Sequence, residues 1–513
     1  MKHYVATVVF LVVVPHATAR AQGSYHSTPN GGQTALMGNT GVALGHDGSA
    51  PFLNPATIVD IQDFKLAFSM NFYAYTSTRL NNYHQPGAVD GASFPGVASK
   101  STTVSDNTFD VVPSTLCFFF TLSGSNAVAE EKENIQSDTP RRRGRQKLAM
   151  CLGNVERRSL SLPALNFREP TATGFTQQAG SLTRKWNRVR VGPSYAGYIT
   201  DNLAVGLSIH GVYNYYGFHD DSSTVTTGGP TGTISSSVGA SGAGHSIDLD
   251  AIVGMTYKAG RYTLGLSAAT PSLHVTGGLD ANLYGQVSGT PAANAYLSTG
   301  SGNLVTPSPV RLSAGVAVDA RKNLKVEIDA SYHFPLSGAL RSTMRVDQVT
   351  VEGAATTPSS FDATYAVRAR PVLNFSGGGE YFLTPAVSVL AGVSTDISAT
   401  PALDSSTSLG AFYKERLNRV TVSGGIGSYG EGGDLMIGTQ LHYGWGQALA
   451  LNSYVLPSAY SVIDVQQYGA LLILAGSTNF KTISRAVEKV EDMVKGKPAQ
   501  DEPKPEAPAP LPP

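Results

Sequence analysis

Apolar and polar residues alternate one by one along much of the chain. In 203–215 one face of the predicted strand is apolar and carries Leu203, Val205, Leu207, Ile209, Tyr213 and Tyr215. The same period of two recurs in 247–258, 310–332 and 435–445. Successive side chains of a β-strand point to opposite faces, so this pattern predicts strands with one apolar face and one small or polar face.

Fourteen such segments are predicted, and an even number returns the chain to its starting side. They lie near 63–76, 109–123, 147–163, 186–199, 203–217, 245–258, 261–276, 308–321, 323–335, 363–382, 386–399, 418–429, 434–448 and 465–480. Tight turns such as 200–202 and 258–261 alternate with long Ser/Thr/Gly-rich stretches, 218–244 and 277–307, which we predict to be loops. Short turns on one side and long loops on the other are typical of bacterial outer-membrane barrels.

Composition favours a membrane barrel over a soluble β-sandwich, which also alternates. Only 14% of the residues are charged, against about 25% in soluble domains, and apolar faces recur where a sandwich would expose polar ones. We therefore predict an all-β fold, a 14-stranded antiparallel transmembrane β-barrel in the cell outer membrane. The formal net charge of +0 argues against nucleic acid as a partner.

The two ends of the chain differ from the barrel region 63–480. Residues 1–21 resemble a signal peptide, with Lys2, an apolar core and the small-x-small site Ala19-Arg20-Ala21. In 481–513 apolar residues recur at helical spacing before a Pro-rich end. This pattern predicts a periplasmic tail with a short amphipathic helix and a disordered extension.

A charged insertion, 124–146, interrupts the alternation of turns and loops. It contains Glu130-Glu131-Lys132-Glu133 and the basic run 141–145, and we predict a solvated loop, with a docking patch for a periplasmic partner as the alternative. The two cysteines, Cys117 and Cys151, flank it at lumen-facing positions. A disulfide between them is one possibility in an oxidising periplasm, although the sequence does not fix the register of the two strands.

The residues between the signal peptide and the first strand, 22–62, do not alternate. They contain a small-residue run from Met37 to Leu44, then Asp47-Gly48-Ser49-Ala50, and then Asn54-Pro55-Ala56 shortly after an aromatic residue. This stretch resembles the hatch of the long-chain fatty-acid outer-membrane transporters, the FadL/TodX family. Thr57 departs from the family pattern, in which glycine is common at this position.

The resemblance implies an N-terminal hatch that plugs the lumen of a 14-stranded barrel, with Asn54, Pro55 and Ala56 as its motif beside a lateral opening in the wall. It further implies passive uptake of long-chain fatty acids or aromatic hydrocarbons. The partners would be a hydrophobic small molecule and the surrounding outer-membrane lipid and lipopolysaccharide, and we expect a monomer without a cofactor.

Apolar residues in the predicted long loops are candidates for ligand contact. They are Leu273, Val275, Leu283, Tyr284, Leu297, Leu409, Phe412 and Tyr413. Most isolated apolar residues in loops only pack the loop, which is the alternative for each of them.

Other functions remain as alternatives: a porin for polar solutes, an assembly or scaffold barrel and, less favoured, an outer-membrane hydrolase. His219-Asp220-Asp221 is the cluster that most resembles a catalytic or metal site. The sequence contains no Gly-x-Ser-x-Gly or His-Glu-x-x-His motif, and the two cysteines lack the spacing of zinc ligands. We therefore predict a protein that is not an enzyme and has no metal site.

Overall fold

The computed structural model describes most of the predicted barrel and hatch. The described residues are 29–45, 47–61, 65–81, 103–123, 145–170, 173–229, 232–289, 294–403, 415–430, 433–452 and 459–479. The predicted signal peptide, residues 124–144 of the insertion, the tail 481–513 and the candidates Leu409, Phe412 and Tyr413 lie outside them. No helix in the described part of the chain is long and apolar enough to span a membrane.

Three short helices precede a long series of strands. The helices are α1 (Gln33–Leu36), α2 (Ala50–Leu53) and a 3-10 helix (Pro55–Asp60). The strand segments are β1 (Lys65–Asn81), β2 (Val104–Ser123), β3 (Gln146–Pro170), β4 (Phe175–Tyr198), β5 (Leu203–Gly229), β6 (Gly232–Ala259), β7 (Tyr262–Ala269), β8 (Leu273–Ser288), β9 (Asn294–Gly302), β10 (Arg311–Arg321), β11 (Leu324–His333), β12 (Leu336–Glu352), β13 (Ala355–Ala369), β14 (Val372–Thr384), β15 (Val387–Asp396), β16 (Arg416–Gly430), β17 (Gly433–Asn452) and β18 (Ala459–Asn479).

These segments form a closed antiparallel barrel of fourteen strands, which confirms the predicted fold class. Four pairs of segments are halves of one long strand, namely β7 with β8, β9 with β10, β11 with β12, and β13 with β14. Each strand pairs with its sequence neighbours, and β1 pairs with β18. Closure removes the free edges that an open sheet would expose.

The alternation predicted from the sequence separates the outer wall from the lumen. On β5, Leu207 and Ile209 are 41% and 50% exposed on the outside, whereas Ser208 and His210 are fully buried inside. Outward positions stay apolar from Leu203 to Tyr213. This stretch corresponds to about 33 Å of strand, or about 25 Å of height at a tilt of about 40°. The apolar band therefore matches the thickness that an outer-membrane barrel presents to lipid.

The long connections predicted as loops are instead β-hairpins. β5 and β6 remain paired through 218–244, with Phe218 opposite Gly242, and β8 pairs with β9 across 279–302. The prediction was wrong because Ser, Thr and Gly on strands beyond the apolar band carry no apolar alternation. Backbone pairing continues there without it. We call this end of the barrel the hairpin end, and the end with the turns 199–202, 260–261 and 322–323 the turn end.

Four consecutive strands of the barrel are interrupted at intermediate height. The interruptions are 270–272, 303–310, 334–335 and 370–371, and they contain Pro271, Pro307, Pro309, Pro335 and Pro371. Proline has no backbone N–H, so it breaks the hydrogen-bond ladder between strands. The longest interruption, 303–310, bends inward. This is seen in the full burial of Leu304 and Thr306 and in the distance of 2.6 Å between the Thr306 and Ser246 hydroxyls.

Candidate functional site in the barrel lumen

Residues 29–45 and 47–61, here called the N-terminal segment, lie inside the barrel against its inner wall. Lumen-facing glycines allow this close approach. A Cβ atom at Gly254 would lie 1.9 Å from Asn54 Oδ1, and one at Gly265 or Gly378 would lie 2.1 Å from the carbonyl oxygen of Val42 or Met37, respectively. Any larger residue at these three wall positions would push the segment away from the wall.

Two carboxylates of β11 hold the middle of the N-terminal segment. Asp329 Oδ2 accepts hydrogen bonds from the backbone N–H groups of Gly41 and Val42 at 2.8 and 3.1 Å. Glu327 Oε1 accepts from Ala43 and Leu44 at 2.6 and 3.1 Å. Four successive N–H groups thus converge on two buried acids, which is the geometry of a backbone anion nest. Charge-assisted bonds of this kind are stronger than neutral ones.

The Asn54-Pro55-Ala56 motif links the segment to itself and to the wall. Asn54 Nδ2 donates to the carbonyl oxygens of Val42 at 2.6 Å and Met255 at 3.1 Å. Its Oδ1 accepts from Ala56 N–H at 3.1 Å and so caps the 3-10 helix. Pro55 occupies the first turn of that helix, where its missing N–H is tolerated. Thr57, the departure from the family pattern, donates to the Asn54 carbonyl oxygen at 2.8 Å.

Replacing Asn54 by Ala is expected to destabilise the N-terminal segment by about 2–4 kcal/mol, because it leaves buried carbonyl and N–H groups without partners. Asn202→Ala is the matched control, since Asn202 is exposed in the turn 199–202. Proteolysis of the detergent-solubilised barrel measures the effect: cleavage within 29–61 should accelerate in the first variant only. Equal cleavage rates in the two variants would show that the Asn54 amide does not anchor the segment.

Cys117 and Cys151 face the same region from the wall. They are direct cross-strand partners on β2 and β3, their Cα atoms lie 4.2 Å apart, and the structure joins their sulfurs in a disulfide. Cys117 Sγ lies 3.4 Å from the carbonyl oxygen of Gly48. The bond therefore ties two strands together where they contact the N-terminal segment.

A layer of buried charged and polar side chains lies between the N-terminal segment and the hairpin end. Arg190 pairs with Asp250 at 2.7 Å, and His210 contacts the same carboxylate at 3.2 Å. The His210 ring stacks on Phe52 of the segment with ring centroids 5.3 Å apart, and Arg311 donates to the Phe52 carbonyl oxygen at 2.8 Å. A small cavity of about 40 Å³ is lined by Glu156, Arg188, Arg190, Ser308, Arg311 and His333, among others.

Between this layer and the hairpin end, the lumen is filled by apolar side chains. The cluster, here called the apolar cluster, contains Trp186, Tyr216, Phe218, Val238, Ala240, Leu279, Leu304, Leu340, Met344, Val346, Val367 and Leu449. β17 reaches across the lumen to β5 and β6, and Arg184 of β4 donates to the Leu449 carbonyl oxygen at 2.7 Å. The lumen is therefore obstructed twice, by the N-terminal segment and by the apolar cluster.

The structure separates the sequence-predicted ligand candidates. Leu283 packs against the apolar cluster. Leu273, Val275, Tyr284 and Leu297 lie on β8 and β9 with exposed side chains. Contact of these residues with a ligand stays a prediction.

Sequence reasoning missed the residues that fill the apolar cluster. Trp186, Tyr216 and Phe218 occupy lumen-facing positions on β4 and β5, where alternation predicts polar or small residues. The sequence did contain an indication, because large apolar residues occupy lumen-facing positions of these strands just beyond the apolar band. This indication was overlooked because these parts of the strands were either predicted as loops or judged only by their outward-facing residues.

His219, Asp220 and Asp221 do not form one cluster. Asp220 points into the lumen and accepts from Arg184 at 2.7 Å, while His219 and Asp221 lie outside, 3.4 Å apart. Alternation along β5 separates neighbours in sequence onto opposite faces. Within the described residues, no group of three or more His, Cys, Asp or Glu side chains has the geometry to hold a metal ion.

No protein-family model and no curated protein sequence matches the chain. Solved structures do match. The toluene transporter TodX of P. putida superposes with a TM-score of 0.53 at 14% identity, covering 89% of this chain and 99% of that one. CymD, a monoaromatic hydrocarbon channel, gives 0.50 at 13% identity over 88% and 98%. A Pseudomonas aeruginosa FadL homologue gives 0.50 at 13% identity over 89% and 99%.

These matches cover nearly the full length of each relative and 88–89% of this chain. At identities this low the likeness establishes the fold. The barrel of this chain has the fold of the FadL/TodX-type outer-membrane hydrocarbon channels.

Proposed function

We propose that the chain is an outer-membrane channel through which small hydrophobic molecules diffuse passively, with its turn end in the periplasm. The apolar cluster at the hairpin end is the observation that carries this proposal. A porin lines its lumen with polar groups and water. Aromatic and aliphatic side chains gathered inside the barrel instead suit an apolar ligand, which removes apolar surface from water when it binds among them.

Two substrate classes fit the lumen. Monoaromatic hydrocarbons are supported by the apolar cluster and by two structural relatives, the toluene transporter TodX and the monoaromatic hydrocarbon channel CymD. Long-chain fatty acids are the second class. Arg311 borders the polar layer, binds the carbonyl oxygens of Phe52 and Leu53, and forms no salt bridge with a carboxylate among the described residues. A ligand carboxylate would supply one.

The inward bend 303–310 is our proposed lateral exit. It lies next to the N-terminal segment, because Arg311 at its end contacts Phe52. The regular ladder between strands is interrupted here: Val305 and Arg341 form an isolated bridge, and the Ser308 N–H donates to a side chain, Ser272 Oγ, at 2.6 Å. A ligand leaving the apolar cluster beside Leu304 would enter the surrounding lipid sideways and so avoid the obstructed axis of the barrel.

Replacing Leu304 by Ser tests the proposal. Burying a leucine side chain against a ligand is worth about 1.5–3 kcal/mol, so we expect uptake of radiolabelled toluene by intact cells to fall by roughly tenfold. Leu383→Ser is the matched control, because Leu383 is 59% exposed near the turn end of β14. It should leave uptake within about twofold of the wild type.

Uptake of a labelled monosaccharide, measured in the same cells, distinguishes the alternatives. A porin would admit the sugar, and a scaffold barrel would admit neither solute. A hydrolase would consume an ester substrate without raising uptake of either one. Sugar entry that rises with expression while toluene entry does not would overturn the proposed function.

A further inference from the structure

Three basic side chains are gathered on two neighbouring turns at the turn end of the barrel. Arg261 lies in the turn between β6 and β7, whereas Arg321 ends β10 and Lys322 follows it in the turn to β11. All three are exposed. Because β7 pairs directly with β10, the two turns are adjacent. We call Arg261, Arg321 and Lys322 the basic patch.

A backbone hydrogen bond fixes the position of Arg261 beside β10. The Asp319 N–H donates to the Arg261 carbonyl oxygen at 2.9 Å, two residues before Arg321. A strand rises about 3.3 Å per residue and neighbouring strands are about 4.8 Å apart, so the Cα atoms of Arg261 and Arg321 are about 8 Å apart. Both long side chains can therefore reach the same small anion.

The guanidinium group of Arg261 lies on the outer surface of the barrel. It donates to the Tyr262 hydroxyl at 2.8 Å, and its Cζ lies 5.0 Å from the centre of the Tyr262 ring. Tyr262 is exposed on the outer wall, and Leu264 continues the apolar band from it along β7. Tyr381 of β14 is exposed on the other side of the basic patch. Tyrosines at the edge of an apolar band mark the level of the lipid head groups.

The basic patch has a surplus of positive charge. Among the described residues, none of its three cations forms a salt bridge, and the exposed Asp319 is the acid nearest to them in sequence. Asp60 pairs with Lys258, a different cation, at 2.8 Å. Asp201 lies in the turn 199–202, on the far side of β6. Three cations with one acid beside them form a surface that attracts anions.

We propose that the basic patch binds the phosphate group of an anionic phospholipid in the periplasmic leaflet of the outer membrane. This inference rests on the proposed function, which places the turn end in the periplasm. Arginine and lysine complement a phosphate, and the Tyr262 hydroxyl adds a hydrogen-bonding group. The apolar band beside the patch contacts the acyl chains of the same lipid. The site lies outside the lumen, so the phospholipid and the transported ligand occupy separate sites.

Binding of a fluorescent phosphatidylglycerol to the purified, delipidated barrel in a neutral detergent tests the proposal. The double variant Arg321→Gln, Lys322→Gln should bind this lipid at least roughly tenfold more weakly, because each cation near an anionic head group strengthens binding by roughly fivefold. The matched control, Lys185→Gln with Arg345→Gln, also removes two exposed cations, but from β4 and β12 towards the hairpin end. It should leave binding within about twofold of the wild type.

Two further probes use the wild-type barrel and do not depend on how the variants fold. Labelled phosphatidylethanolamine, whose head group has no net charge, should bind at least roughly tenfold more weakly than phosphatidylglycerol. Soluble glycerol phosphate should displace the bound lipid poorly, because it has no acyl chains. Equal binding of the two lipids, equal loss in the two double variants, or efficient displacement by glycerol phosphate would overturn the proposal. Toluene uptake should be the same in both double variants and the wild type, which separates failure of this site from failure of the proposed channel.

Discussion

Replacing Glu327 by Gln and Asp329 by Asn together should free the N-terminal segment from the inner wall and expose it to added protease. The two carboxylates hold four successive N–H groups, from Gly41 to Leu44, inside the lumen. Each introduced amide keeps one oxygen that can accept, but the nest loses the negative charge that strengthens these hydrogen bonds. We expect the N-terminal segment to be destabilised by about 3 kcal/mol or more.

Asp319→Asn is the matched control for this experiment. Asp319 is an exposed acid at the turn end of β10, so the control removes one negative charge without touching the nest. In the detergent-solubilised barrel, added protease should cleave within 29–61 rapidly only in the double variant. A double variant cleaved as slowly as Asp319→Asn would mean that the carboxylates do not hold the segment in place.

A covalent tether across the inward bend should abolish uptake of hydrophobic molecules. Ser272 and Ser308 are close, with Ser308 N–H donating to Ser272 Oγ at 2.6 Å. Cysteines at these two positions, joined by a short dithiol crosslinker, would fix residues 303–310 against the wall. If ligand leaves through this part of the wall, uptake of labelled toluene should fall by about tenfold or more, and cleavage of the crosslinker should restore it.

A second tether nearby tests whether the effect belongs to the bend. The hydroxyl groups of Ser313 and Ser331 lie 2.8 Å apart on the regularly paired strands β10 and β11. A cysteine pair at those positions adds the same crosslink to a continuous part of the wall and should leave uptake unchanged. Comparable loss from both tethers, or none from either, would contradict a lateral exit at 303–310.

The two predictions concern the parts of the molecule that close the lumen. The N-terminal segment is held by hydrogen bonds to carboxylates and amides as well as by apolar packing of side chains such as Leu36 and Phe52 against the wall. The apolar cluster is held together by burial of aromatic and aliphatic groups. An apolar ligand can replace the contacts within the apolar cluster, whereas displacing the N-terminal segment would leave its buried polar groups without hydrogen bonds. This difference favours a route in which the ligand leaves through the wall, between the N-terminal segment and the hairpin end.

Much of the fold could be predicted from the sequence. The alternation in 203–215 or 435–445 is a property of the strand itself, since each side chain must face lipid or lumen. The fourteen segments therefore follow from local pattern. The position of Asn54-Pro55-Ala56 before the first strand likewise indicated which residues leave the wall.

The candidate site was harder to predict because its groups come from distant strands. Arg184 meets Leu449 across the lumen, and Glu327 meets Ala43 although 284 positions separate them. Such pairs depend on the shape of the barrel's cross-section and on the tilt of its strands. The alternation along a single strand determines neither. The predicted loop candidates, by contrast, rested on local composition, which did not distinguish a loop from a polar hairpin.

The sequence by itself determined the number of strands, the direction in which each side chain points, and the residues set apart from the wall, because these follow from a period of two within lipid. Only the tertiary structure decided that the proline-containing interruptions fall in four adjacent strands and that apolar side chains of several strands gather in the lumen. Each of these arrangements is set by the register between strands. Register is a property of pairs of strands and of barrel closure, and the alternation along one strand leaves it open.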